Sequence, residues 1–248
     1  MKLTELLDYT GQLLQVDRYR DYCPNGLQVA GRSEIQMLVS GVTASMALLE
    51  AAAEFGADAV LVHHGYFWKG EDPRLVGIKR DRLKFLLSRD INLIAYHLPL
   101  DAHPELGNNA QLACRLGMVT EGSVGEQMLV MHGRLEKAMS LESFGHNVAQ
   151  VLGRTPLIVG EAERDVRRVA WCTGAAQDAL EQAIELGVDV FVTGEASERT
   201  VHLARESGVA FVAAGHHATE RYGVQALGAH LASRFDLMHR YVEIDNPV

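Results

Sequence analysis

The chain has 248 residues, 48% of them hydrophobic and 22% charged, which is enough apolar material for two small cores or one large one. Asp and Glu (32) outnumber Lys and Arg (23), and the formal charge of −9 argues against nucleic acid or an anionic membrane as a general partner. No apolar run reaches the roughly 18 residues of a membrane span, Met1–Glu5 does not open on a signal-peptide core, and Cys23, Cys114 and Cys172 form no CxxC pair. The expectation is a cytoplasmic protein without a disulfide framework or a thiolate zinc site.

Short apolar runs alternate with amphipathic segments, the pattern of an α/β fold. Leu3, Leu6, Leu7, Leu13 and Leu14 share one face of a first helix. Met37–Val42 reads as a strand, and Ala44–Phe55 as a helix stopped by Gly56. Ala59–Val62 is a buried strand that runs into His63-His64-Gly65. Arg80–Ser88 is helical, Ile91–Tyr96 is another apolar strand, and a helix covers Asn109–Leu116. Further on, a strand is expected around Met128–Met131, a helix around Leu141–Leu152 and a strand at Leu157–Val159.

The second half repeats the plan of the first. Val39–Gly65 parallels Ala170–Ala196, with Glu50 on Glu181, Gly56 on Gly187 and Asp58 on Asp189; each copy reads strand, helix, Gly-x-Asp, strand. Ile91–Asp101 parallels Ala210–Glu220, and in both an apolar strand leads to a His with an acidic residue four positions later: His97/Asp101 and His216/Glu220. Two similar α/β domains follow, 1–125 and 126–248.

Six of the 11 histidines cluster after apolar strands: His63-His64, His97 with His103, and His216-His217. The carboxyl ends of strands in an open α/β sheet are where ligands bind. Neutral imidazoles side by side work well as metal ligands, and Gly65 lets the backbone turn both rings toward one pocket. If a helix starts directly after Gly215, His216 and Glu220 share a face. Asp101, flanked by apolar residues, needs a partner that a cation can supply. Taken one at a time, each has a structural reading: a polar strand end, a capping His, a turn Asp at Asp101-Ala102-His103-Pro104. Together, His63, His64, Asp101, His216 and Glu220 make a nitrogen and oxygen ligand set suited to Zn, Fe, Mn, Co or Ni. Five ligands exceed the need of one catalytic zinc and suit two divalent ions per subunit.

The segments NGLQV (Asn25–Val29), GVTAS (Gly41–Ser45), GADAVLVHHGYFWKG (Gly56–Gly70), HLPLDAHPELGNNAQLA (His97–Ala113), VAWCTG (Val169–Gly174), TGEAS (Thr193–Ser197) and AGHHATERYG (Ala214–Gly223) resemble the GTP cyclohydrolase I type 2 homologue family, also called Nif-three-like proteins. The resemblance implies two similar α/β domains, a toroidal homohexamer, and a dinuclear site on the same five residues. His97 matches the family's His four positions before the Asp.

Other residues carry secondary expectations. Glu195 falls opposite His64 in the repeat and, with His97, is a candidate to move protons. Tyr66-Phe67-Trp68 can stack on a base or pack in a core or a subunit interface. Lys69 and Arg221 can meet phosphate, though most such charges are simply solvated. Thr43, Ser45 and Ser197 read as helix caps, and His217 as a surface or supporting residue. The leading expectation is a dinuclear metal-dependent hydrolase in which an activated water attacks a small molecule, possibly a nucleotide. The alternatives are a non-catalytic metal-binding scaffold or metal-handling ring, and a phosphoesterase.

Overall fold

A computed structural model describes all 248 residues. In chain order the first unit's leading segment forms α1 (Leu3–Leu13), β1 (Gly26–Val29), β2 (Met37–Thr43), α2 (Met46–Glu54), β3 (Ala59–His64), α3 (Gly77–Leu87), β4 (Asn92–Ala95) and α4 (Leu98–Ala102). Then come α5 (Asn108–Leu116), β5 (Met118–Val124), β6 (Val130–Ser140), α6 (Leu141–Leu152), β7 (Leu157–Val159), β8 (Asp165–Trp171), α7 (Leu180–Leu186), β9 (Val190–Thr193), α8 (Glu198–Ser207), β10 (Ala210–Ala213), α9 (His216–Phe235) and β11 (Met238–Tyr241). No helix is long and apolar enough to cross a membrane.

The chain divides into two compact units: Met1–Gly107 with Gly223–Asp245, and Asn108–Tyr222 with Asn246–Val248. This differs from the expected cut between 125 and 126. The reason is a returning segment: β11 lies parallel to β2, pairing Met238 with Met37, so the chain's end completes the first sheet. Leu112, Leu116 and Met118 pack with Phe144 and Val190, which puts the stretch after residue 107 in the second core.

The first sheet has the order β1-β4-β3-β2-β11, with β2, β3 and β4 parallel and β1 antiparallel at the edge. Alternate residues of β3 serve two layers. Val60 and Val62 pack with Leu48, Leu49 and Ala52 of α2 and Leu83 and Leu86 of α3. Ala59 and Leu61 pack with Leu3 and Leu6 of α1 and with Val224, Leu227 and Leu231 of α9. Burial on both faces explains why these strands read as unbroken apolar runs.

The second sheet has the order β5-β6-β8-β9-β10-β7, with β8, β9 and β10 parallel and β7 antiparallel to β10. Phe144 and Val148 of α6 and Leu112 of α5 cover one face. Leu180 and Ala183 of α7 and Ala204 of α8 cover the other.

The Gly-x-Asp repeat has the same job in both units. Gly56 (φ 69°) and Gly187 (φ 62°) take the left-handed conformation that ends α2 and α7. Asp58 then accepts from Gln36 N and Met37 N, and Asp189 from Arg167 N and Arg168 N, at 2.7–3.0 Å. Each Asp fastens the start of the neighbouring parallel strand. Ser45 caps α2 and Ser197 caps α8 in a capping box, each worth about 1 kcal/mol.

Local expectations shift in places. The strand expected near Met128–Met131 begins at Val130 and runs to Ser140; Met128 sits in the preceding turn at φ 57°. Leu98–Ala102 is a short helix that includes Asp101, the residue also read as a turn Asp; Pro99 occupies its first turn, where a missing N–H costs nothing.

Candidate metal centre

Parallel strands bring their carboxyl ends to one edge of each sheet. In the first unit, β3 ends in His63-His64 and the chain leaving β4 carries His97 into α4. His63 is fully buried, and Asp101, one turn along from His97, is 6% exposed. The ring nitrogens of His63, His64 and His97 approach within 4.8 Å of one another.

The hydrogen bonds fix which nitrogen of each ring faces inward. His63 Nδ1 lies 3.0 Å from the Tyr96 carbonyl oxygen, which can only accept, so Nδ1 carries the proton. The lone pair of the neutral ring is then on Nε2, which faces Asp101 Oδ1 at 3.5 Å. His64 Nδ1 is engaged by Thr43 Oγ1 at 3.2 Å. His97 Nδ1 donates to Asp21 Oδ1 at 2.7 Å.

The second unit builds the same motif from other residues. α9 starts at His216, directly after β10 and Gly215, so His216 and Glu220 are one turn apart on one helix. His216 Nδ1 donates to Glu195 Oε1 at 2.6 Å, and its Nε2 faces Glu220 Oε2 at 3.0 Å. Glu220 is 3% exposed. Burial lowers the His216 pKa, but the Glu220 and Glu195 carboxylates outweigh it and raise it to about 9. Gly174 (φ 71°) forms a cradle here: a Cβ at this position would collide with Glu220 Oε1 and stand 3.2 Å from His216 Nε2. Gly194 likewise lies so close that a Cβ would come within 2.6 Å of His216 Cα.

The donor chemistry fits a divalent transition ion. Each histidine has its outer nitrogen held by a carbonyl, hydroxyl or carboxylate, the arrangement that orients metal-binding imidazoles. Negative charge stands beside the inner nitrogens of His63 and His216, as two carboxylates serving a cation would provide.

The remaining candidates divide. Glu195 orients His216, and His97 is held by Asp21. Thr43 is not a cap; it contacts His64. His217 is buried at 7% exposure, and its backbone N–H donates to the Val248 carbonyl oxygen. Arg221 donates to the Leu152 carbonyl oxygen, which gives it a structural tie. Tyr66 is buried and bonded to the Ala44 carbonyl oxygen, whereas the Trp68 ring lies 6.0 Å from His64 and stands edge-on 5.0 Å from His97. Trp68 therefore walls the histidine cluster.

Sequence reasoning misses Asp21. It is 4% exposed as a side chain, and also accepts from Asn25 Nδ2 and Leu98 N. Burial opposes its ionisation, but the bond and charge of His97, with Asn25 and Tyr22 N, hold its carboxyl below the ordinary value. Its one sequence signal is its place just before the NGLQV motif.

A family profile described as Duf34/NIF3 (NGG1p interacting factor 3) matches residues 1–247. A Pseudomonas aeruginosa protein named GTP cyclohydrolase 1 type 2 homolog is 55% identical over 248 residues, covering 99% of this chain and 98% of its own. A solved structure described as protein ybgI, of unknown function, is 51% identical with a TM-score of 0.96 and full coverage of both chains. The structure of TTHA1606 from Thermus thermophilus is 35% identical with a TM-score of 0.87, covering 100% of this chain and 99% of that one. With this full-length agreement in sequence and fold, the chain belongs to the Duf34/NIF3 family, the one its motifs resemble.

Proposed function

We propose that this protein is a metal-dependent hydrolase whose dinuclear centre is held by His63, His64, Asp101, His216 and Glu220. The observation that carries this reading is the fixed orientation of the histidines: each Nδ1 is engaged from outside, and the Nε2 atoms of His63 and His216 face carboxylates. Two divalent ions, when bound, supply a water acidic enough to act near neutral pH and positive charge for a developing oxyanion. The protein's own residues do the rest. Glu195 holds His216 by accepting from Nδ1 at Oε1, and its other carboxylate oxygen would take up or return a proton. His97 has its Nδ1 proton held by Asp21, leaving Nε2 to accept one. Trp68 supplies a flat apolar wall beside the histidines, suited to a ring-bearing substrate.

The names of the relatives direct the first substrate test to GTP, and the substrate class is a nucleotide or a related small molecule. The assembly expected from the family resemblance, a homohexamer, is proposed alongside. The experiment is to incubate protein of known metal content with GTP, following the purine absorbance and formate. Formate release that disappears in His64→Ala supports a cyclohydrolase. Phosphate release with an intact purine supports a phosphoesterase. Bound metal with no turnover of GTP or of a nucleotide panel supports the metal-handling scaffold and overturns the enzymatic reading.

A further inference from the structure

Beyond the five-residue set, the first unit contains a second group of donor atoms of different chemistry. Asp21, Cys23 and His97 each offer one ligand atom, and the three atoms lie within 4.8 Å of one another. Asp21 and His97 are 4% and 14% exposed as side chains, and Cys23 is 8% exposed. Asp21 is fixed in place by Asn25 Nδ2 and Leu98 N, so the group is built before any ligand arrives. The Cys23 thiol is unsuited to act as a nucleophile here: burial, followed by the Asp21 charge, raises its pKa to about 12.

We propose that Asp21, Cys23 and His97 form an accessory site for a thiophilic divalent cation such as Zn2+ or Co2+. A sulfur donor beside an imidazole and a carboxylate selects such ions over Mg2+ or Ca2+, which prefer oxygen ligands alone. Charge also favours it. One thiolate and one carboxylate neutralise a divalent ion, so a closely buried site carries no net charge. On binding, the Cys23 S–H bond breaks, its proton passes to solvent, and a sulfur–metal bond forms. The hydrogen bond from His97 Nδ1 to Asp21 Oδ1 is given up: the proton passes to Nε2, and Nδ1 and the carboxylate would each turn to the ion. No oxidant or reductant is required. The site lies wholly in the first unit and shares none of the five residues of the dinuclear set, but it takes His97, whose Nε2 no longer accepts a proton while this ion is bound.

The test is titration of the metal-free full-length protein with Co2+, read by absorbance. A sulfur-to-cobalt charge-transfer band in the near ultraviolet is expected, which nitrogen and oxygen ligands alone do not give. Cys23→Ser should lose the band and one equivalent of bound cobalt while keeping the visible bands of the histidine-carboxylate ions. The Cys114→Ser/Cys172→Ser double variant should keep the charge-transfer band, which assigns it to Cys23 even if Cys23→Ser fails to fold. Absence of the band in the unmodified protein, its survival in Cys23→Ser, or its loss in the double variant overturns the site.

Discussion

The two units share three parallel strands, two crossover helices and the Asp fastener, but place their donor residues differently. In the first, β3 ends in His63-His64; the matching residues of the second are Gly194-Glu195. Thr43 of the first, which contacts His64, matches Gly174 of the second, where a side chain would collide with Glu220. The first unit therefore places two histidines at its strand end and a short Asp on α4. The second clears its strand end with two glycines so that the longer Glu220 on α9 fits, and keeps Glu195 to hold His216. The same strand–helix plan thus carries different side chains at matching strand ends.

The largest expected effects come from the ligands. His64→Ala and Glu220→Ala should each strip most bound metal, measured by elemental analysis of protein purified without a chelating tag. Gly174→Ala comes next. It adds a Cβ at φ 71° against Glu220, so metal affinity should fall by at least about tenfold and stability by roughly 1–2 kcal/mol. Thr43→Gly at the matching position should do much less, because it removes a single 3.2 Å contact to His64. Equal effects of these two variants would contradict the stated difference between the units.

Glu195→Gln should weaken metal binding about 10- to 100-fold, since it removes the charge that orients His216. The same carboxylates govern the pH response of the metal-free protein. The folded His216 pKa, about 9, lies above its ordinary 6.5. Its contribution to stability is fully present below about 6.5 and is lost as pH rises through 9. Denaturant melts of metal-free protein across that window should show the loss, and Glu195→Gln should reduce it.

The smallest effects test the shared feature. Asp58→Ala and Asp189→Ala each leave two strand N–H groups without their carboxylate, and each should cost about 1–3 kcal/mol in chemical denaturation. For Asp58, burial opposes ionisation, but Met37 N, Gln36 N and Arg32 hold its carboxyl below the ordinary value. Its contribution is therefore present above the unfolded carboxyl value and lost as pH falls through the folded one. In acid the gap between wild type and Asp58→Ala should close.

What is legible in the sequence follows from this architecture. Parallel strands buried on both faces are continuous apolar runs, so β3, β4, β9 and β10 stand out, and the histidines after them with them. The His-x3-acid spacing signals one turn of helix because α9 begins immediately after Gly215. Edge elements are harder. β5, β1 and β11 carry polar and exposed residues and lack a strong period, and α8 is a polar surface helix. Asp21 escapes notice because it meets His97 across 76 residues of chain, from a loop outside the repeat. Thr43 reads as a cap because it stands near Ser45, which is the cap; the cross-strand pairing of Thr43 with His64 gives it its other role.

The most direct test of the central claim is the number of metal ions per chain in native protein, measured beside His64→Ala and Glu220→Ala. The account predicts about two ions per histidine-carboxylate centre, with a sharp fall in each variant. Unchanged stoichiometry in both variants would contradict it.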